Sequence, residues 1–381
     1  MDRPLTEEQS MLADSVARFV EQEYSFNDRQ AIVRSAEGYR KANWQTFAEL
    51  GWLGALMPEA DGGFGGGPTE CTLLMEGFGR GLVVEPFLAT VVLCGGIVGH
   101  SRSREHQEML LPKIASGTAQ GAVAFVEPQA RFNANNVETS AVKTGNGYVL
   151  NGFKSVVLNG PAADFLVVSA RTAGESRDAS GVSLFVIDAN AEGVSRRNYP
   201  TVDGHRASEI TLTDVKVGSN ALLGEENEGT ALLVRVLDEA TLAVGAEAVG
   251  CMEVLYKDTV EYCKNRKQFG QPLSKFQALQ HRMVDMYIEY EKSTSMMYAA
   301  TTRMSAGYDV AAQEAVSAFK VQVGRSGRFI GQNAVQLHGG MGMTDELNIG
   351  HYFKRLTAID TMFGNVDFHL QRFRALSTQA L

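Results

Sequence analysis

The chain has 381 residues, 44% apolar and 21% charged, a globular composition with length for two or three domains and a core that needs no disulfides. Thirty-five basic against 44 acidic residues give a net charge of −9 with neither sign gathered into a block, which argues against electrostatic capture of nucleic acid. Cys71, Cys94, Cys251 and Cys263 form no Cys-x-x-Cys and no metal-like group with His, and the polar, acidic N-terminus fits neither a secretory signal nor a transit peptide, so a reduced cytoplasmic chain without a metal is expected.

Thr6-x-x-Gln9 is a capping box ahead of Leu12, Val16, Phe19 and Val20 on one helical face, which predicts a helix over 6–23. Helical patterning continues over 44–50, 70–79 and 104–115. The glycine-rich segment 61–68 lacks the Lys-Ser/Thr of a P-loop and is read as a surface loop. The most apolar stretch, 81–99, is interrupted by Glu85-Pro86 and too short to span a membrane. From about 120 the runs become short and β-rich: 122–126, 148–150, 165–168, 182–187 and 210–212. After Gly224 they lengthen into helices over 225–263, 275–306, 309–335 and 346–376, the pattern of a four-helix bundle. The expected architecture is α+β and multidomain: an N-terminal helical domain over 1–119, a central β domain over 120–224 and a C-terminal bundle over 225–381.

Chemistry gathers near the bundle's helix ends. Arg266-Lys-Gln-Phe-Gly270 follows a long helix that Gly270 and Pro272 terminate, so the Arg266 guanidinium can leave the bundle and fork bidentately onto an anion. The plainer alternative is a basic helix C-terminus that suits the macrodipole. Ser274-x-x-Gln277 reads as a capping box, a duty that by itself would explain Gln277. Gln336-Leu-His-Gly-Gly340-Met-Gly342 closes a later helix with glycines that allow close approach of a ligand. Taken together, in this order and separation, the two segments resemble the signatures with which acyl-CoA dehydrogenases hold the adenosine half of FAD across a subunit interface. The resemblance covers the whole chain, including Glu127-Pro128 and Asn159-Gly160, and is strongest to the small subunits of paired, pimeloyl-CoA-type dehydrogenases through Gly63-Phe-Gly-Gly-Gly-Pro68, Ser326-Gly-Arg-Phe-Ile-Gly331 and His351-Tyr-Phe-Lys-Arg-Leu-Thr357. It implies FAD as cofactor and Arg266, Gln268, Phe269, Gln277, Gln336, Leu337, Gly339 and Gly340 as its adenosine-side residues. It also implies an acyl-CoA substrate that loses an α-proton to a carboxylate and a β-hydride to the flavin, with electron-transfer flavoprotein as acceptor.

The departures from the family pattern are equally specific. Where members carry a flavin-touching Thr-Glu-Pro-Gly-Ala-Gly-Ser-Asp run, this chain has Val126-Glu-Pro-Gln-Ala-Arg-Phe-Asn133, and Trp-Ile-Thr-Asn becomes Val156-Val-Leu-Asn159. The usual base positions hold Phe363, in Met362-Phe-Gly-Asn365, and Ala240. Glu239 is turned about 100° from Ala240 around the helix, whereas Glu247 lies on the same face about 10 Å along it. Glu247 is therefore the candidate substitute base, against the alternative of a structural carboxylate paired inside the bundle. His338 is expected to be structural, and Met283, Met286, Met296, Met297 and Met304 to be core. The expectation is a subunit that supplies the adenosine side of FAD to a base-carrying partner in an α2β2 assembly. The alternatives are a self-sufficient homo-oligomer using Glu247 and a stabilising subunit without chemistry.

Overall fold

The computed structural model describes residues 5–379. The helices are α1 (Glu7–Glu23), α2 (Phe26–Arg34), α3 (Lys41–Glu49), α4 (Pro68–Gly81), α5 (Gly96–His100), α6 (Arg104–Ala115), α7 (Gly229–Asn265), α8 (Gln277–Ala306), α9 (Val310–His338), α10 (Asn348–Thr361) and α11 (Val366–Gln379). The strands are β1 (Gly121–Ala124), β2 (Ser140–Thr144), β3 (Gly147–Leu158), β4 (Phe165–Arg171), β5 (Val182–Asp188), β6 (Val194–Pro200), β7 (Arg206–Gly218), β8 (Leu222–Leu223), β9 (Lys267–Gln268) and β10 (Gln271–Pro272). Helical front, β middle and helical end follow in the expected order. The compact units cut this order differently: one comprises Met1–Gln30, Pro68–Val83 and Thr241–Leu381, the other Ala31–Gly67 and Val84–Ala240.

In the first unit α1 starts at the expected capping box, with Thr6 Oγ1 accepting from Gln9 N and Gln9 Oε1 accepting from Thr6 N. Val16 and Phe19 are its buried face. Helices α4 and α7 meet backbone to backbone: a Cβ on Gly79 would stand 2.0 Å from Glu247 O, and one on Gly250 the same distance from Glu76 O. Only glycine permits that approach. Helix α9 packs against α8 on one side and carries α10 and α11 on others. The methionine stripe of α8 is core as expected, with Met283, Met286, Met297 and Met304 buried and Met296 half-buried.

The second unit is built on a mixed sheet of order β6-β7-β3-β2-β4-β5-β8, with β1 parallel to β4. Strand β4 is buried along its whole length, as its continuous Phe-Leu-Val-Val run requires. Leu150, Leu166, Val168, Phe185, Ile210 and Leu212 form the core of the sheet. A π-helix over Leu88–Gly95 continues into α5. The 61–68 segment is a tight loop rather than a cradle: Gly63 packs where a Cβ would meet Met57 O at 2.2 Å, and Asp61 is paired with Arg104.

Two expectations fail here. The helix expected over 346–376 is two helices, broken where Phe363 takes φ +56° and Gly364 φ +119°. The Ser274 capping box does not form. Leu273–Lys275 is a turn of 3-10 helix, and α8 begins at Gln277 behind Phe276, which gives no side-chain cap.

Candidate functional site

Helix α7 ends at Asn265, and the chain reverses at once through the β9–β10 hairpin. Its two turn residues, Phe269 and Gly270, have φ of +51° and +79°, the double left-handed geometry of a type I′ turn. Glycine takes it freely, whereas a phenylalanine there is strained by roughly 1–3 kcal/mol. The ring is 89% exposed. It lies edge-on to Phe276, with ring centroids 6.2 Å apart.

Arg266, at the root of the hairpin, is exposed, and no hydrogen bond or ion pair engages its guanidinium among the described residues. Gln268 and Gln277 are also exposed. With the capping box absent, helix initiation does not account for Gln277. The second motif closes α9: Gly339 N donates to Gln336 O at a φ of +61°, and Cβ atoms added at Gly339 or Gly340 would meet nothing within 4 Å. Leu337 is buried and Gln336 exposed.

The two motifs are brought to one end of the bundle by a contact that no motif encodes. Tyr262, one turn before Arg266, stacks on His338, directly before Gly339, with ring centroids 4.3 Å apart. His338 Nδ1 lies 2.8 Å from Ala334 O, and burial holds the imidazole below its ordinary value. His338 is thus structural, as expected, but it also fixes the site.

The positions that the resemblance assigns to the base carry no acid. Ala240 is fully buried and Phe363 half-buried. Glu239 is turned away, within 2.9 Å of His100 Nε2 and 3.4 Å of Arg235. Glu247 is buried, but Arg355 grips both carboxylate oxygens, Nε on Oε1 at 2.5 Å and Nη2 on Oε2 at 2.6 Å. Of the two readings of Glu247, a relocated base or a paired structural carboxylate, the geometry fits the second. Both oxygens are engaged by one guanidinium, the arrangement of a paired structural carboxylate.

In the second unit the run that the resemblance aligns with a flavin-touching segment is anchored as a scaffold by Glu127. Glu127 accepts from Lys154 Nζ at 2.6 Å, from the backbone N–H of Glu138 and Thr139, and from Gln129. Burial alone would raise its pKa, but Lys154 and these donors hold the carboxyl down at about 2. Val156 sits on a β-bulge at φ +48° and is 49% exposed, an outlier for a β-branched residue that offers neither an aromatic plane nor a hydroxyl. Asn159, also left-handed, is buried with its amide 3.3 Å from Gln120 Oε1. FAD therefore fits by halves: open glycine backbone, an unengaged Arg266 and a presented Phe269 suit its adenosine diphosphate, while Val126 and Val156 supply nothing specific to its ring.

Among the described residues no group of three or more His, Cys, Asp or Glu could hold a metal, and no helix is long and apolar enough to cross a membrane. All four cysteines are buried free thiols.

Sequence models of the acyl-CoA dehydrogenase N-terminal, middle and C-terminal domains match residues 6–118, 122–215 and 227–374. Mitochondrial isovaleryl-CoA dehydrogenase of Pongo abelii is 31% identical over 92% of this chain and 84% of that protein. The caffeyl-CoA reductase-Etf complex subunit CarC of Acetobacterium woodii is 30% identical over 91% and 92%. The structure of the ChsE4-ChsE5 complex from Mycobacterium tuberculosis aligns with a TM-score of 0.89 at 25% identity, over 100% of this chain and 99% of that one. The chain belongs to the acyl-CoA dehydrogenase family, FAD-dependent oxidoreductases that act on the CH–CH bond of acyl-CoA thioesters.

Proposed function

We propose that this chain is one subunit of a heteromeric, cytoplasmic acyl-CoA dehydrogenase, and that it supplies the adenosine side of an FAD site whose base belongs to a partner chain. The observation that carries the reading is an asymmetry. The adenosine-side set, Arg266, Phe269, Gln277 and the Gly339-Gly340 turn, is exposed on its own unit. The base positions hold Phe363 and Ala240, and the nearest carboxylate on the same helix face, Glu247, is forked to Arg355. Residues that act across an interface are kept, while those that act within a subunit are lost.

In this reading Arg266 neutralises the pyrophosphate, Phe269 covers the adenine or ribose, and Gly339 and Gly340 let backbone approach the cofactor. FAD supplies hydride acceptance. Abstraction of the α-proton falls to a carboxylate of the partner, in an α2β2 assembly, and electrons leave to an electron-transfer flavoprotein. The pair named in the ChsE4-ChsE5 structure and the Etf complex named for the Acetobacterium relative support such company.

The test is to purify the chain alone with added FAD and measure flavin absorbance per chain and its bleaching by acyl-CoA. The expected preparation is flavin-poor and inactive, with both properties appearing on co-expression with a base-carrying homologue. Stoichiometric flavin with turnover by the chain alone would overturn the proposal.

A further inference from the structure

The break between α10 and α11 is held by two buried side chains, one from α9 and one from α11 itself. Lys320, in the middle of α9 and fully buried, donates from Nζ to Gly364 O at 2.6 Å and to Asp360 O at 3.1 Å. His369 of α11, 1% exposed, places Nε2 3.2 Å from Phe363 O. The carbonyls that end α10 would otherwise be orphaned in the core. Phe363 itself is left-handed, and Gly364 packs so closely that a Cβ would stand 2.7 Å from His369 Nε2. A lysine this deep with backbone carbonyls as its acceptors is unusual, because a buried ammonium ordinarily takes a carboxylate. Here the carboxylate of Asp360 is turned to Arg328, 2.9 Å away.

We propose that Lys320, with His369, is a positioning residue for the Phe363-Gly364 turn, a cross-helix donor that fixes the base-equivalent position in a left-handed geometry although it carries no carboxylate here. The role assigned to that turn rests on the reading above, in which Phe363 stands at the base position. The turn in this subunit is accordingly a rigid wall rather than a loosened remnant.

The pH dependence of the turn separates positioning from ordinary core packing. Burial pushes the Lys320 ammonium down to about 7 against the pull of Asp360. The other charged or titratable groups near it are His369, whose imidazole burial, Lys320 and Arg372 push down to about 3, and the guanidinium groups of Arg328, bonded to Asp360, and Arg372, bonded to Ser317. Any opening that hydrates Lys320 takes up a proton between about pH 7 and its solution value, so acid favours opening.

The experiment is amide hydrogen exchange on the full chain at pH 7 and 9, each amide corrected for its intrinsic rate. The probes are Met362, Phe368 and His369, whose N–H groups are bonded at the break, with amides in the middle of α8 as reference. Relative protection at the break is expected to be about tenfold or more higher at pH 9. Lys320→Met should lose that pH dependence and exchange faster at the break than in α8, whereas His369→Gln, which keeps an N–H donor, should stay near the wild type. Wild-type protection that is independent of pH, or loosening by Lys320→Met spread equally over α8, overturns the proposal. If Lys320→Met does not fold, the wild-type profile decides alone. Neither flavin nor partner enters the measurement, so its failure and failure of the subunit reading are distinguishable.

Discussion

Arg355 of α10 closes a two-pronged fork on Glu247 of α7, with side chains only 4% and 3% exposed. Such a pair adds little net stability over a well-packed apolar pair, but removing one partner strands the other charge. Glu247→Gln should therefore cost about 3 kcal/mol, while the double change Glu247→Leu with Arg355→Met recovers most of it. Urea unfolding of the wild type and these two variants checks this. Turnover per folded assembly should be unchanged in Glu247→Gln. A stable Glu247→Gln protein that has lost turnover would instead restore Glu247 as a base.

The Glu127–Lys154 pair gives the sheet unit a defined acid response. The folded carboxyl is held at about 2, below the 4.5 of the free group. A lowered folded pKa contributes stability that is complete above the unfolded value and is lost as pH falls through the folded one. Unfolding free energy should thus have a component that fades between about pH 4.5 and 2. Lys154→Met should destabilise the protein by about 3 kcal/mol at neutral pH by leaving a buried carboxylate uncompensated, and the gap to wild type should narrow towards pH 2. Thermal melts across that range test the sign: a gap that widens in acid contradicts it.

Much of this fold was legible because local chemistry and packing agree. The Thr6–Gln9 box, the amphipathic face through Val16 and Phe19, and the continuous apolar run of β4 each announce their element. Strand β6, Val-Ser-Arg-Arg-Asn-Tyr-Pro, leaves no such mark, because it is an edge strand with little buried surface and therefore little pattern. Ser274 had the right spacing for a cap, but the 3-10 turn at Leu273–Lys275 removed the geometry. The helix break at Phe363 has a local signal in Gly364-Asn365, whose Asn365 Oδ1 accepts from Phe368 N, but its anchoring by Lys320 has none, because a lysine in a helix reads as a surface residue until tertiary contacts bury it. Likewise the two motifs are legible in the sequence, but the stacking of Tyr262 on His338 that joins them is visible only in the fold.

Strain in the hairpin makes a separable prediction for Phe269. Replacing it by Asn, which tolerates left-handed backbone, should stabilise the isolated chain by about 1 kcal/mol, because an 89% exposed ring contributes little packing to lose. The same variant should lower flavin content in the assembled enzyme several-fold. Denaturant unfolding of the chain and flavin absorbance of the assembly read the two effects independently. Loss of stability in the isolated chain would mean that the ring packs within it after all.

Gly340 offers the cleanest probe of the cofactor reading, because its own chain makes no demand for glycine there. Its φ lies outside the left-handed region and an added Cβ meets nothing within 4 Å, in contrast to Gly339 at φ +61°. Gly340→Ala should therefore leave the stability of the isolated chain within about 0.5 kcal/mol, or raise it slightly by restricting the unfolded state. Against a cofactor lying on that backbone, the methyl group should reduce FAD retention in the assembled enzyme at least about tenfold, a loss of about 1.4 kcal/mol in binding. Flavin released on gel filtration, set beside the unfolding curve of the same variant, gives both numbers. Unchanged retention would show that the Gly339-Gly340 turn does not touch FAD, and the adenosine side would then rest on Arg266 and Phe269 alone.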